Sequence, residues 1–232
     1  MTESINQKIW DERHRLSRKS KRYNKYPAEH IVSFIAKNYY KVPDRSTVRI
    51  LDIGCGSGCN LVYLCTEGFK AYGIDHSAYA IEISRELLKR NKCSAELAAQ
   101  SAISMPYDDD FFDACVETNS IHCNKTEDIG IIFNEIYRVL KPGGKFFGTL
   151  ASDKCEEFGK GISIDPYTFD LSDITTYRGH FDGFPVVHFF SKEELEQITG
   201  KFSFCQLELN IYTLETGNCR HPFGHWFVEL KK

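Results

Sequence analysis

The sequence predicts an α/β domain, with strands and helices alternating along the chain and helices covering both faces of a mostly parallel sheet. Three observations carry this reading. Residues 48–65, VRILDIGCGSGCNLVYLC, pass from a short apolar run to helical spacing across three alternate glycines. Residues 69–75 repeat an apolar strand and close it on Asp75. Residues 129–150 give a helical stripe, the break Lys141-Pro142-Gly143-Gly144, and another strand at 145–150.

The glycine turn is the most informative stretch. Glycines there allow positive φ and close approach of a ligand, and the helix that follows presents free N–H groups favourable to an electron-rich group. The spacing is G-x-G-x-G, with Cys59 where a dinucleotide fingerprint has its third glycine. Asp52, on the strand two residues before Gly54, suggests a ligand that carries a positive group. Asp75 lies 17 residues beyond Gly58. In a βαβ unit the ends of strands one and two are neighbours, so Asp75 points into the same cleft, placed to accept from two ribose hydroxyls.

Composition bounds the function. The chain has 232 residues, 42% of them hydrophobic and 26% charged, and a net charge of −3, which suits one globular domain and argues against a nucleic-acid binder. No apolar run reaches the ~18 residues of a membrane span, and the first residues have no apolar leader. Nine cysteines without a C-x-x-C pair suggest neither a disulfide framework nor a zinc site, but reduced thiols in a cytoplasmic protein. No metal is expected; His221 and His225 are near each other in sequence but have no helix to hold them.

Taken in order, residues 1–25 hold eight Lys or Arg against three Asp or Glu. Such a run is either a solvated face or an arm for an anionic partner. Trp10, Tyr23 and Tyr26 argue against disorder, so residues 1–46 are expected to form an arm and helix over the cleft, with a core stripe at Ile31, Phe34, Ile35 and Tyr39. After the second strand, His76 could face a planar ring and Ser77 could cap the next helix. Residues 95–99 and 112–116 read as strands three and four, with His122 on the rim beyond the latter. Residues 151–190 are rich in Gly, Asp and aromatics, a functional lid or binding insertion. Ser191 and Glu194 form a capping box, and residues 202–214 and 226–230 form a final hairpin around Thr216-Gly217-Asn218.

Together LDIGCGSG (51–58), YGID (72–75), MPYDDDFFD (105–113) and EIYRVLKPGGKFF (135–147) resemble a class I S-adenosylmethionine-dependent methyltransferase. The resemblance implies a Rossmann-like, doubly wound, seven-stranded sheet of order 3-2-1-4-5-7-6 with strand seven antiparallel. It implies that Gly54, Cys55 and Gly56 hold the methionine moiety, that Asp52 engages its ammonium and that Asp75 holds the ribose. Ser101 and Ala102 would sit at the adenine beside His76, Asn119 near the sulfonium, and Trp10 would reach the cofactor from the arm. Ser101 departs from the Asp often found there, which leaves the adenine to backbone groups.

The expected activity is methyl transfer from S-adenosylmethionine to a small-molecule acceptor, in a pocket built from the arm and residues 151–190. Candidate bases are His122, then Tyr26 and His188. Two other readings stay open: an RNA or protein methyltransferase that uses the basic arm, and a non-catalytic S-adenosylmethionine-binding sensor or partner subunit.

Overall fold

The structure, a computed structural model, describes residues 5–20, 23–176 and 180–232. Strand β1 (Arg49–Ile53) is buried from Ile50 onward and pairs in parallel with β2 (Lys70–Asp75) on one side and β4 (Phe112–Glu117) on the other. Strand β3 (Glu96–Ala99) flanks β2, and β5 (Leu140–Ala151) flanks β4, both in parallel. Strand β3 is one edge of the sheet, and two further strands lie beyond β5. The parallel strands are apolar on both faces because helices cover both, which is why they read as runs rather than alternations.

Helix α3 (Cys59–Thr66) packs on β2, and Gly73 explains how closely. A Cβ there would stand 2.7 Å from Leu61 and 3.0 Å from Cys55 Sγ. Helices α2 (Glu29–Tyr39) and α4 (Ala78–Arg90) complete the packing around Ile31, Ile35, Ile50, Leu61 and Ile81 on one face. Helix α5 (Thr126–Val139) packs the other face through Ile129, Ile132, Phe133 and Ile136. Ser77 caps α4 as expected, its hydroxyl accepting from Ala80 N.

The KPGG segment behaves differently from the expectation. Helix α5 ends at Val139, and Leu140 already belongs to β5. The register then shifts between Phe112↔Leu140 and Ala114↔Lys145, so these four residues form an irregularity inside the strand. Gly143 takes φ +80° there, and its N–H donates to Lys232 O at 3.0 Å.

The segment after β5 is more regular than its sequence suggests. Strands β6 (Ile162–Ser163), β7 (Thr168–Asp170) and β8 (Val187–His188) form a small antiparallel sheet over Phe169, Phe181, Phe189 and Phe223. Helix α6 (Lys192–Thr199) follows. Ser191 Oγ accepts from Glu194 N at 3.2 Å, but the Glu194 carboxylate meets His188 Nε2 at 2.9 Å instead of returning to the cap. The predicted capping box is therefore half formed.

Strands β9 (Phe204–Thr216) and β10 (Cys219–Lys231) form the closing hairpin, and β10 runs antiparallel to β5. The large sheet has the order β3-β2-β1-β4-β5-β10-β9. With the small sheet's strands left out of the count, this is 3-2-1-4-5-7-6. Helix α1 (Ile5–Ser20) lies across α4, and no described helix is long and apolar enough to cross a membrane.

Candidate functional site

The parallel strands β1, β2 and β4 end on one side of the sheet, and a cavity of about 390 Å³ opens there. Its volume is within the ~300–1,000 Å³ usual for small-molecule sites. The glycine turn forms its floor. Gly54, Gly56 and Gly58 have φ of +66°, +51° and +82°, values that L side chains rarely adopt. Their spatial roles differ. A Cβ on Gly54 would lie 2.3 Å from Ser120 Cβ, and one on Gly58 2.8 Å from Ser84 Oγ. A Cβ on Gly56 would meet nothing closer than 3.9 Å, because Gly56 borders the cavity.

Asp75, at the end of β2, ties the turn to the second strand. Its Oδ2 accepts Gly56 N–H at 2.9 Å and its Oδ1 accepts Ser77 N–H at 2.9 Å. Each carboxylate oxygen keeps a lone pair, and the side chain lines the cavity. Trp10, His76, Ser101, Ala102 and Asn119 line it too, with Gly54 and Gly56. Asn119 has the left-handed φ of +58°. His76 Nε2 is buried and has no hydrogen-bond partner among the described residues.

Other expected residues lie elsewhere. Cys55 is core rather than lining: its N–H donates to Ile74 O, its Sγ faces Ser84, and burial pushes its thiol up. Asp52 is behind the turn, with Oδ1 3.4 Å from Asn60 Nδ2 and Oδ2 buried without a partner among the described residues. Burial raises its pKa to about 8. Tyr26 is 84% exposed and does not border the cavity. His188 is fully enclosed by a hydrogen-bond network, with Nδ1 2.8 Å from Thr168 Oγ1 and Nε2 on Glu194. His122 sits in a 3₁₀ turn (Ile121–Cys123) whose flanking residues line the cavity while the imidazole itself turns inward against Phe181. Burial first, then the neighbouring His225 and His180, lowers its pKa to about 3. An imidazole so weakly basic and so enclosed is poorly suited to take a proton from a ligand in the cavity.

Several contributors escaped the sequence reading. His14 lines the cavity one helical turn from Trp10. Its pKa is lowered by burial, against the attraction of Asp75. Asn24 completes the rim beside Tyr23, from the arm expected over the cleft, and Gln100, from the turn expected at its edge. Asn60 joins three elements: its Oδ1 accepts from Ala28 N, and its Nδ2 faces both Asp52 and Thr118. Helical spacing in α1 was the only signal that could have pointed to His14. Nothing in the local sequence pointed to Asn60.

The arm is fastened across this site. Trp10 packs edge-on against Phe184 at 5.2 Å, and Arg13 lies over the Phe184 ring while donating to Gly183 O at 2.9 Å. Ser77 Oγ donates to Asp11 at 2.5 Å. Arg15 pairs with Glu12, and Arg18 with Glu82 and Glu86. Three of the arm's arginines thus have partners within the chain.

A doubly wound sheet with a glycine turn and an acidic second-strand end on one cavity defines the Rossmann-like class of nucleoside-binding folds. Residues 50–144 match the methyltransferase-domain family, and this match supports a class I S-adenosylmethionine-dependent methyltransferase. Phosphoethanolamine N-methyltransferase 1 of Zea mays is 28% identical over 168 residues, covering 70% of this chain and 32% of that protein. The chain spans about a third or less of the first curated relatives it matches. Demethylmenaquinone methyltransferase of Symbiobacterium thermophilum is 29% identical over 212 residues, 79% of this chain and 77% of that one. A methyltransferase structure from Methanosarcina mazei superposes with a TM-score of 0.66 at 21% identity, over 89% of this chain and 98% of that one, and shares the fold.

Proposed function

We propose that the chain transfers a methyl group from S-adenosylmethionine to a small-molecule acceptor. The observation that carries this reading is the Asp75–Gly56 pair on the floor of a cavity that also exposes Asn119. The residues present fit the donor. Asp75 retains lone pairs for two ribose hydroxyls, Gly56 leaves room for close approach, and His76, Ser101 and Ala102 stand where a planar base would lie. The unpartnered Oδ2 of Asp52, directly behind the turn, suits an ammonium reached directly or through water. Bound there, S-adenosylmethionine supplies a methyl group on a sulfonium, a leaving group that needs no further activation.

The chain's own contribution is then chiefly alignment and exclusion of water, which can be worth several kcal/mol. The described part of residues 1–46, through Trp10 and His14, covers the donor, and the described part of residues 151–190 forms the acceptor wall where Phe184 meets Trp10. Tyr26 and His188 are not part of this proposal. His122 enters it only through its neighbours Ile121 and Cys123.

A small acceptor is favoured over RNA because Arg13, Arg15 and Arg18 are paired within the chain. Phosphoethanolamine and demethylmenaquinone methyltransferases among the relatives support the same class of acceptor, while an 18S rRNA (guanine-N(7))-methyltransferase of Bos taurus among them is the reason RNA enters the acceptor screen. The nine free thiols suit a reducing, cytoplasmic setting. Calorimetry with S-adenosylmethionine and S-adenosylhomocysteine tests the donor. A radiolabelled methyl screen over phosphoethanolamine, quinols, RNA and peptides tests the acceptor. Absence of binding to both nucleosides would overturn the proposal, and labelling of RNA or peptide alone would overturn the small-molecule part.

A further inference from the structure

At the end of β4, Glu117 is completely buried, yet no cation pairs with it among the described residues. Its Oε2 accepts Ser120 N at 2.9 Å and Ile121 N at 3.2 Å, and lies 3.1 Å from Ser120 Oγ. Its Oε1 accepts Thr149 N, on β5, at 2.6 Å. Three backbone N–H groups donate to the carboxylate, so its two oxygens extend the β4–β5 hydrogen bonding past the last backbone pair, Val116↔Phe147.

The consequence reaches the glycine turn. Ser120 Oγ also lies 3.0 Å from Ile53 O, and its Cβ occupies the space where a side chain on residue 54 would be. Between Glu117 and Ser120 the chain bulges through Thr118 and the left-handed Asn119, and both residues line the cavity. One buried carboxylate thus fixes β5, the β4 loop and, through Ser120, the end of β1.

We propose that Glu117 is a positioning residue that sets the cavity wall at Asn119 and Ser120 against the glycine turn, and so determines donor affinity without touching the donor. This rests on the proposed function, since the donor is taken to be S-adenosylmethionine. Substitution by Gln tests it sharply. A carboxamide has one accepting oxygen, so either Thr149 N or the Ser120 and Ile121 N–H groups must face an NH₂ group. Burial works against ionisation of Glu117 while these donors favour it, so the carboxamide also serves to separate charge from shape.

The experiment compares wild type, E117Q and V139A, the last a core truncation in α5 away from the cavity wall. Calorimetry measures S-adenosylhomocysteine affinity, and thermal unfolding measures stability. Expected is a loss of about tenfold in affinity for E117Q, with V139A destabilised at unchanged affinity. Affinity of E117Q within twofold of wild type, or an equal loss in V139A, would overturn the inference. Should E117Q fail to fold, S120A takes its place: it removes the hydroxyl that reaches Ile53 and Glu117 but leaves all three backbone N–H bonds to Glu117, and unchanged affinity there would be equally fatal. If wild type does not bind the nucleoside, the functional proposal itself falls; if wild type binds and E117Q binds as well, only the role of Glu117 does.

Discussion

The Oδ2 of Asp75 accepts the N–H of Gly56 at 2.9 Å, joining the end of the second strand to the turn that closes the first. The bond holds the turn in its positive-φ form and fixes the direction of the carboxylate's remaining lone pairs. Asp75→Ala should therefore weaken S-adenosylhomocysteine binding by roughly 1.5–3 kcal/mol, through lost charge-assisted hydrogen bonds and a looser turn. Calorimetry reads this directly.

The turn's first two glycines should respond differently to Ala. Gly54→Ala meets both a positive φ and Ser120 Cβ at 2.3 Å, so it should destabilise the fold by roughly 2–4 kcal/mol. Gly56→Ala meets only the backbone strain and open space, so stability should fall by roughly 1 kcal/mol while the new methyl intrudes on the ligand. Denaturant melts should separate the two, and donor affinity should fall in both.

Asp52 gives a pH signature. Its folded pKa, raised by burial to about 8, exceeds that of an ordinary carboxyl. Ionisation therefore opposes folding: the chain loses stability from this group as pH rises from about 4 through 8. A ligand ammonium reverses the preference, because it favours the carboxylate. Donor affinity should then rise between pH 6 and 8 with proton release on binding, and Asp52→Asn should flatten that rise. Calorimetry in buffers of different ionisation enthalpy measures the proton count.

His188 should prove structural. Its ring is bonded to Thr168 and Glu194 and packs on Phe190 at 4.5 Å, so His188→Phe strands buried polar partners. A loss of about 1–3 kcal/mol in unfolding free energy is expected, with S-adenosylhomocysteine affinity retained.

The arm gives a fifth test. Arg13→Ala removes the bond to Gly183 O and the contact with the Phe184 ring, which should raise hydrogen exchange across residues 5–20 and weaken donor binding several-fold. The weakening should be insensitive to salt, unlike that of an arm whose charge meets a polyanion.

Local pattern determined much of this protein. The apolar runs, the glycine turn, the acid after the second strand and the hairpin around Gly217 each express a backbone preference or burial periodicity within a few residues, so they were legible in the chain. Trp10, Gly54, Gly56, Asp75, His76, Ser101, Ala102 and Asn119 do come together on one cavity. Tertiary structure decided what depends on groups distant in sequence. His122 turns toward Phe181 and Cys55 into the core because of what packs on them. KPGG becomes a strand irregularity whose Gly143 and Gly144 exchange hydrogen bonds with Lys232, distant in sequence. Glu117 gains its significance from Thr149, 32 residues away. Sequence spacing records which face of an element a residue occupies; only packing of distant segments records what that face meets.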